Sequence, residues 1–179
     1  MCAYEFYTYD DYKQWEGDWE LIDGIPHAMA PAPVISHQFL ATEISFEIRK
    51  NLEDCEKCFV VMEEDYKIDE YNILKPDVSM ICNQFDKYIT KAPEIVVEVI
   101  SPSTARRDEK TKFQIYQEEG VKYYILIYPN ELKAKLYKLE NRKYVKEGDF
   151  TDESYKFENL TCEIEVNFEK VFKKIKRFR

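Results

Sequence analysis

Asp77, Glu98 and Lys112 are the residues whose types could do chemistry together. Asp77 follows Pro76 at the head of an apolar segment, Asp77-Val-Ser-Met-Ile-Cys82, and Glu98 interrupts a β-branched run, Ile95-Val-Val-Glu-Val-Ile100. A carboxylate inside such a run loses much of its hydration, which is costly unless a cation or strong donors compensate. Two carboxylates on neighbouring strands could hold one Mg²⁺ or Mn²⁺, a hard ion that prefers oxygen ligands and keeps several waters. The backbone carbonyl of Val99 could add a third ligand. Such an ion polarises a phosphoryl oxygen and activates a water, and a nearby lysine orients that water or stabilises developing negative charge. Asp108, Lys112 and Tyr116 recur at i, i+4 and i+8; successive members lie about 40° apart on a helix and share one face. The same residues also read as structural, with Glu98 and Lys112 as an ion pair and Asp77 as the start of a strand. Spacing alone leaves both readings open.

The elements that must position these residues follow from local signals. Ser101-Pro-Ser103 breaks a strand over 94–100, Ser103 caps a helix over 104–119, and Gly120 stops it before a strand over 121–128. If the two strands are parallel, this unit is a right-handed crossover. Upstream, Thr8-Tyr-Asp-Asp11 is a capping box opening a short helix to about Trp15. Asp23-Gly24 between Asp18–Ile22 and Ile25–Met29 signals a hairpin, ended by Ala30-Pro-Ala-Pro33. Leu40, Ile44, Ile48 and Leu52 give the apolar stripe of a helix over 36–52. Strands are predicted over 58–62 and 76–82, with a polar, acidic connection over 63–70 and a loop over 83–92. Two or three antiparallel strands around 132–138, 142–147 and 162–166 and a terminal helix over 167–179 complete the chain. The economical arrangement is one α/β domain over 1–179, a mixed α+β sheet flanked by helices, with the hairpin at its N-terminal end.

Composition sets limits. With 45% hydrophobic and 15% aromatic residues the chain is not disordered. A net charge of −9 excludes a protein that coats nucleic acid by general electrostatics. It does not exclude a metal-dependent enzyme acting on nucleic acid, because a bound divalent ion offsets its carboxylates locally. Basic residues concentrate at Arg106, Arg107, Lys110 and Lys112 and in the last seven residues, a tail that reads either as a solvated end or as a contact for a phosphate backbone or another acidic partner. No apolar run approaches the ~20 residues that span a bilayer, and no secretory signal is visible, so a cytoplasmic protein without membrane attachment is expected. Five cysteines without a signal read as reduced thiols. Cys55-Glu-Lys-Cys58 is half a zinc site; Cys82, Cys162 and the two histidines supply no second pair at ligand spacing.

A series of elements occurs in order: Glu20-Leu-Ile-Asp-Gly24, Met29, Pro31-Ala-Pro33, His37, Pro76-Asp-Val78, Val97-Glu-Val-Ile-Ser-Pro-Ser-Thr104, Asp108, Lys112, Tyr116, Gly120-Val121 and Tyr124. Over roughly residues 6–140 the chain resembles the Uma-type family of proposed restriction endonucleases, placed in the PD-(D/E)XK nuclease superfamily. The resemblance implies a restriction-endonuclease-like core with a Mg²⁺- or Mn²⁺-dependent phosphodiesterase site acting on DNA. It implies that Asp77 is the Asp of the Pro-Asp element and Glu98 the acidic residue of the (D/E)XK element. Position 100 is Ile where the superfamily pattern has Lys; the family supplies its lysine from the following helix, where Lys112 stands. Lys110 is the fallback, about 160° round the helix from Lys112. Glu20 is then a further acidic residue near the metal, and His37, Arg106, Arg107 and Tyr116 are candidates for substrate contact, although Tyr116 reads first as packing with a polar tip. Cutting both strands of a duplex would call for a two-fold dimer. The competing expectation, motivated by the charge of −9 and the sparse basic surface, is a nuclease-fold interaction module without catalysis.

Overall fold

The computed structural model describes residues 5–29 and 34–178. Its centre is a six-stranded sheet in the order β10-β9-β8-β7-β6-β3. The strands are β3 (Cys58–Met62), β6 (Val78–Cys82), β7 (Ile95–Val99), β8 (Tyr123–Tyr128), β9 (Lys133–Glu140) and β10 (Lys143–Phe150). Only β7 and β8 run parallel, with Glu98 beside Leu126; the other neighbours are antiparallel. The expected crossover is therefore present, and the sheet is mixed. The predicted hairpin forms from β1 (Trp19–Ile22) and β2 (Ile25–Ala28), with Ile22 opposite Ile25. Asp23 and Gly24 both take positive φ, 51° and 73°, as a two-residue turn matched to strand twist requires.

Three features differ from the sequence reading. The acidic connection after β3 contains β4 (Tyr66–Lys67), and β5 (Ile73–Leu74) follows before Pro76; together they extend the hairpin into a second sheet, β2-β1-β5-β4. Two-residue strands carry too little alternation to be seen in a sequence. β11 (Ser154–Lys156) pairs with β12 (Glu165–Asn167) in a separate ribbon. The helix after β7 opens with an α-helical residue pair at 105–106 and passes through a π-helical turn, Arg107–Lys112, before α3 (Phe113–Glu119), which Gly120 ends at φ 84°. Its first turn is secured by Ser101 rather than Ser103: Ser101 Oγ accepts from the Thr104 N–H at 3.3 Å, and Ser103 Oγ meets Ser101 Oγ. The expected end of the hairpin at 30–33 lies outside the described residues.

Two cores sandwich the central sheet. On one face, Val78, Met80, Val97 and Ile125 pack against Leu40, Ala41, Ile44 and Ile48 of α2 (Ile35–Arg49) and Phe168, Val171 and Phe172 of α4 (Phe168–Lys173). On the other, Ile81, Val96, Tyr124 and Leu126 pack against Tyr116 of α3 and Ile22, Tyr66 and Leu74 of the second sheet. Glu98 shares the parity of Val96 and so faces this second core. Among the described residues no helix is long and apolar enough to cross a membrane.

Candidate active site

The strand register brings the two carboxylates together. β6 and β7 pair Val78 with Val97, and continuing that antiparallel register sets Asp77 opposite Glu98. Asp77 Oδ2 accepts the Val99 N–H at 2.7 Å, and the Asp77 N–H points at Glu98 Oε2 at 3.4 Å. Each carboxylate is thus clasped to the other strand's backbone. The π-helical turn and α3 then lay Lys112 and Tyr116 over Glu98, whose Oε1 accepts from Lys112 Nζ and the Tyr116 hydroxyl, both at 2.9 Å.

Glu20 reaches the same point from β1. It is wholly buried, and its Oε1 lies 2.5 Å from Lys112 Nζ while also accepting the Lys75 N–H at 2.9 Å. Asp108 is 3.7 Å from the same ammonium, the i, i+4 neighbour expected on the helix. Lys112, 2% exposed, therefore stands among three carboxylates. His37, near the start of α2, places Nε2 3.2 Å from Asp77 Oδ2. Arg107 Nε lies 3.6 Å from Glu20 Oε2. Arg106, Arg107, His37 and Val99 line a cleft of about 990 Å³ that opens over the cluster; Tyr116 lies buried behind Glu98 and outside the cleft lining.

Electrostatics in this cluster are unbalanced. Burial drives the Glu98 carboxyl well above its ordinary range; Lys112 opposes this, and Asp77, Asp108 and Glu20 add to it. Asp108 is raised too, by burial that outweighs Lys112 and a hydrogen bond from Thr104. Burial works against the charge on Lys112, but Glu20, Glu98 and Asp108 outweigh it and raise its pKa, holding the ammonium protonated. His37 likewise loses to burial and gains more from Asp77, with Glu63 and Asp108 assisting, so its pKa rises. Burial is the main reason the Glu98 and Asp108 carboxyls are raised, and the neighbouring acids add to it.

The donor set fits a hard divalent cation held by two carboxylates and waters. Asp77 Oδ2 and Glu98 Oε1 carry the strong hydrogen bonds; the other oxygen of each is left for an ion, with Glu98 Oε2 receiving only the long 3.4 Å contact. Among the described residues no three acidic oxygens of the cleft lie within 4.8 Å of one another, because Lys112 stands between Glu20 and Glu98. Glu20 is thus the partner of the lysine. Buried Glu20 Oε2 and Arg107 Nε face each other at 3.6 Å without a hydrogen bond, and buried His37 Nδ1 has no hydrogen-bond partner among the described residues.

His27 and Lys75 are among the cleft residues that the sequence does not single out. His27, on β2, pairs across the hairpin with Glu20 and lines the cleft, where burial and the charge of Arg107 lower its pKa. The Asp-Gly turn carried that signal, since a two-residue loop fixes residue 20 opposite 27. Lys75, just before Pro76, closes the other wall and pairs with Asp18 at 2.9 Å.

Comparisons with known proteins bear on the family and the fold. The model of the Uma2 family, described as “Putative restriction endonuclease”, matches residues 8–166. A relative from Synechocystis sp., the uncharacterized protein slr1290, is 30% identical over 141 residues, 72% of each chain. A crystal structure described as a “putative nuclease belonging to DUF820”, from Anabaena variabilis, superposes with a TM-score of 0.76 at 15% identity, over 93% of this chain and 97% of that one. At that identity the likeness is one of fold.

Proposed function

The chain belongs to the Uma2 restriction-endonuclease family, and from that premise we propose that it is a metal-dependent endonuclease hydrolysing DNA phosphodiester bonds. Asp77 and Glu98, with the backbone carbonyl of Val99, would hold Mg²⁺ or Mn²⁺. A divalent ion there supplies Lewis acidity toward a phosphoryl oxygen and a water of lowered pKa.

The chain's own residues do the rest. Lys112, kept protonated and fixed in direction by Glu20 and Asp108, presents its ammonium beside Glu98, where negative charge builds on the phosphorane-like transition state. Val99 N–H holds Asp77, and Tyr116 holds Glu98, so both carboxylates are oriented before an ion arrives. Arg106, Arg107 and His37 line the cleft where a phosphate backbone would lie, and their charge offsets part of the chain's negative excess at that place alone. The observation that carries the reading is the contact of Lys112 Nζ with Glu98 Oε1: it supports a lysine supplied by the helix where position 100 is an isoleucine.

The test is incubation of the purified protein with supercoiled plasmid in Mg²⁺, Mn²⁺ or EDTA, beside a folded Asp77→Asn variant. Metal-dependent nicking or linearisation lost in the variant is expected. Cleavage that survives in EDTA or in Asp77→Asn would overturn the assignment.

One observation favours a second reading, a nuclease-fold interaction module without catalysis. Lys112 is 2% exposed and already paired with Glu20 and Glu98, as in a purely structural ion network. That reading requires that no divalent ion bind; a Mn²⁺ isotherm abolished by Asp77→Asn would remove it.

A further inference from the structure

Four of the five cysteines meet at the end of the central sheet opposite the cleft. Cys55 follows the short 3₁₀ turn Lys50–Leu52, Cys58 begins β3, Cys82 ends β6, and Cys162 lies between β11 and β12. Their sulfurs form two bonded pairs, Cys55 with Cys162 and Cys58 with Cys82. The pairs touch: Cys58 Sγ and Cys162 Sγ are 3.3 Å apart. The Cys55, Cys58 and Cys162 sulfurs lie within 4.8 Å of one another, and Cys82 joins them through Cys58.

The backbone around the cluster is built for a common ligand. Cys55 and Cys58 have the two-residue spacing of a metal-binding knuckle. The Cys55 N–H bonds the Leu52 carbonyl at 3.1 Å and the Asn83 N–H bonds the Lys57 carbonyl at 2.8 Å, which clasps the knuckle to the strand carrying Cys82. Cys58 and Cys82 are directly opposed across the ladder, with Cα atoms 4.1 Å apart, closer than the roughly 4.4–6.8 Å at which disulfides usually form. The Cys162 loop is moored by Glu94, whose carboxylate accepts the Thr161 N–H at 2.7 Å and hydroxyl at 2.9 Å and pairs with Lys122 at 2.5 Å. Glu94, paired with Lys122, also brings a carboxylate oxygen within 4.8 Å of the Cys58 and Cys82 sulfurs, so it lines the cluster beside them.

We propose that in the reduced protein Cys55, Cys58, Cys82 and Cys162 form a tetrathiolate zinc site. It would tie the β11–β12 ribbon and the segment before β3 to the central sheet. It is a structural site, with four protein ligands and no open position. Soft thiolates select zinc over the hard ions suited to the cleft. From the bonded pairs, a dithiol reductant gives two electrons to each disulfide and is itself oxidised to a disulfide. The resulting thiols release their protons as the Zn–S bonds form, and the sulfurs rearrange to about 3.8 Å apart, as tetrahedral bonds of about 2.3 Å require: the bonded pairs open and Cys82 closes on Cys55 and Cys162. The zinc site is independent of the nuclease reading and uses none of the cleft residues.

The test is to load the full chain, reduced under dithiol, with zinc and separately with Co²⁺. Wild type is expected to hold about one zinc per chain at the cluster, to give the charge-transfer and visible bands of cobalt bound by four thiolates, and to have these four thiols protected from alkylation by the metal. Cys162→Ser is expected to lose the tetrathiolate spectrum while keeping the proposed cleavage activity. If wild type, shown by mass to be fully reduced and by circular dichroism to be folded, gives no sulfur-to-cobalt band, the site does not exist. Persistence of the two disulfides under the reductant would overturn it equally. Cobalt seen without sulfur bands lies in the carboxylate cleft and also counts against the proposal, so failure here leaves the cleavage experiment standing.

Discussion

Strands β6 and β7 end in opposite chemistries. At one end Asp77 and Glu98 face a cleft with hard oxygens. At the other, Cys82 and the mooring Glu94 gather sulfurs in a closed cluster. From Asp77 to Cys82 is five residues, roughly 16 Å at about 3.3 Å per residue. The carboxylate end gathers buried acids from β1, β6, β7 and the helix around one lysine. The sulfur end draws together segments distant in sequence. On the two proposals, one two-strand unit would separate a reactive site from its structural anchor, each end suited to its own ligand softness.

The contrast breaks most visibly at Lys112. Lys112→Ala leaves Glu20, Glu98 and Asp108 buried without their shared cation. Removing one partner of a buried network costs about 3–5 kcal/mol, and losing the donor should lower the cleavage rate by about 10²–10³. Urea unfolding and plasmid nicking read the two losses separately. An Ala variant as stable as wild type would mean that the carboxylates escape to solvent and that the cluster does not act as one charged unit.

Glu98→Gln sharpens the point by separating activity from stability. Because the folded Glu98 carboxyl is raised above its ordinary 4.5, the folded state binds more protons than the unfolded. Metal-free stability should therefore fall as pH rises from about that value through the raised one. Removing the charge should reduce that slope, leaving the share of Asp108 and His37, and raise the metal-free Tm at pH 8, each kcal/mol appearing as about 2–4 °C at this chain length. Cleavage should be lost together with Mn²⁺ binding. A Tm that drops in Glu98→Gln would show that the Lys112 pair outweighs burial.

Much of the positioning was legible in the sequence because it lay in strong local signals. The β-branched run around Glu98, the Asp23-Gly24 turn and the Gly120 stop each fix backbone geometry over a few residues. Lys112 was also legible, as the helix lysine that the resemblance put in place of position 100. Glu20 was named, but its attachment to Lys112 was not, since only the second sheet, built on strands as short as β5, brings β1 to the helix. The π-helical turn had no visible signal: it forms at Arg107–Lys112, where buried Asp108 and Lys112 face the cluster, through packing that no local pattern encodes. The cysteine cluster was half legible. Cys55 and Cys58 showed the spacing, but Cys82 and Cys162 join them only because β3 pairs with β6 and the β11–β12 ribbon folds back.

The smallest expected effect is at His37, where α2 touches the carboxylate end. Its pKa is raised above the ordinary 6.5 because Asp77, with Glu63 and Asp108, outweighs its burial. A raised base stabilises fully below its unfolded value and ceases to as pH rises through the folded one. The His37–Asp77 pair at 3.2 Å should thus stabilise the metal-free protein at pH 6 and weaken as pH rises through the raised value. His37→Gln should lower Tm at pH 6 by a degree or two, about what a partly exposed pair is worth, and lower it less as pH rises. Mn²⁺ bound at Asp77 would repel the imidazolium, so the ion should also erase the pH 6 difference. A His37→Gln penalty that changes neither with pH nor with Mn²⁺ would assign His37 to packing alone and detach it from the charged end of the sheet.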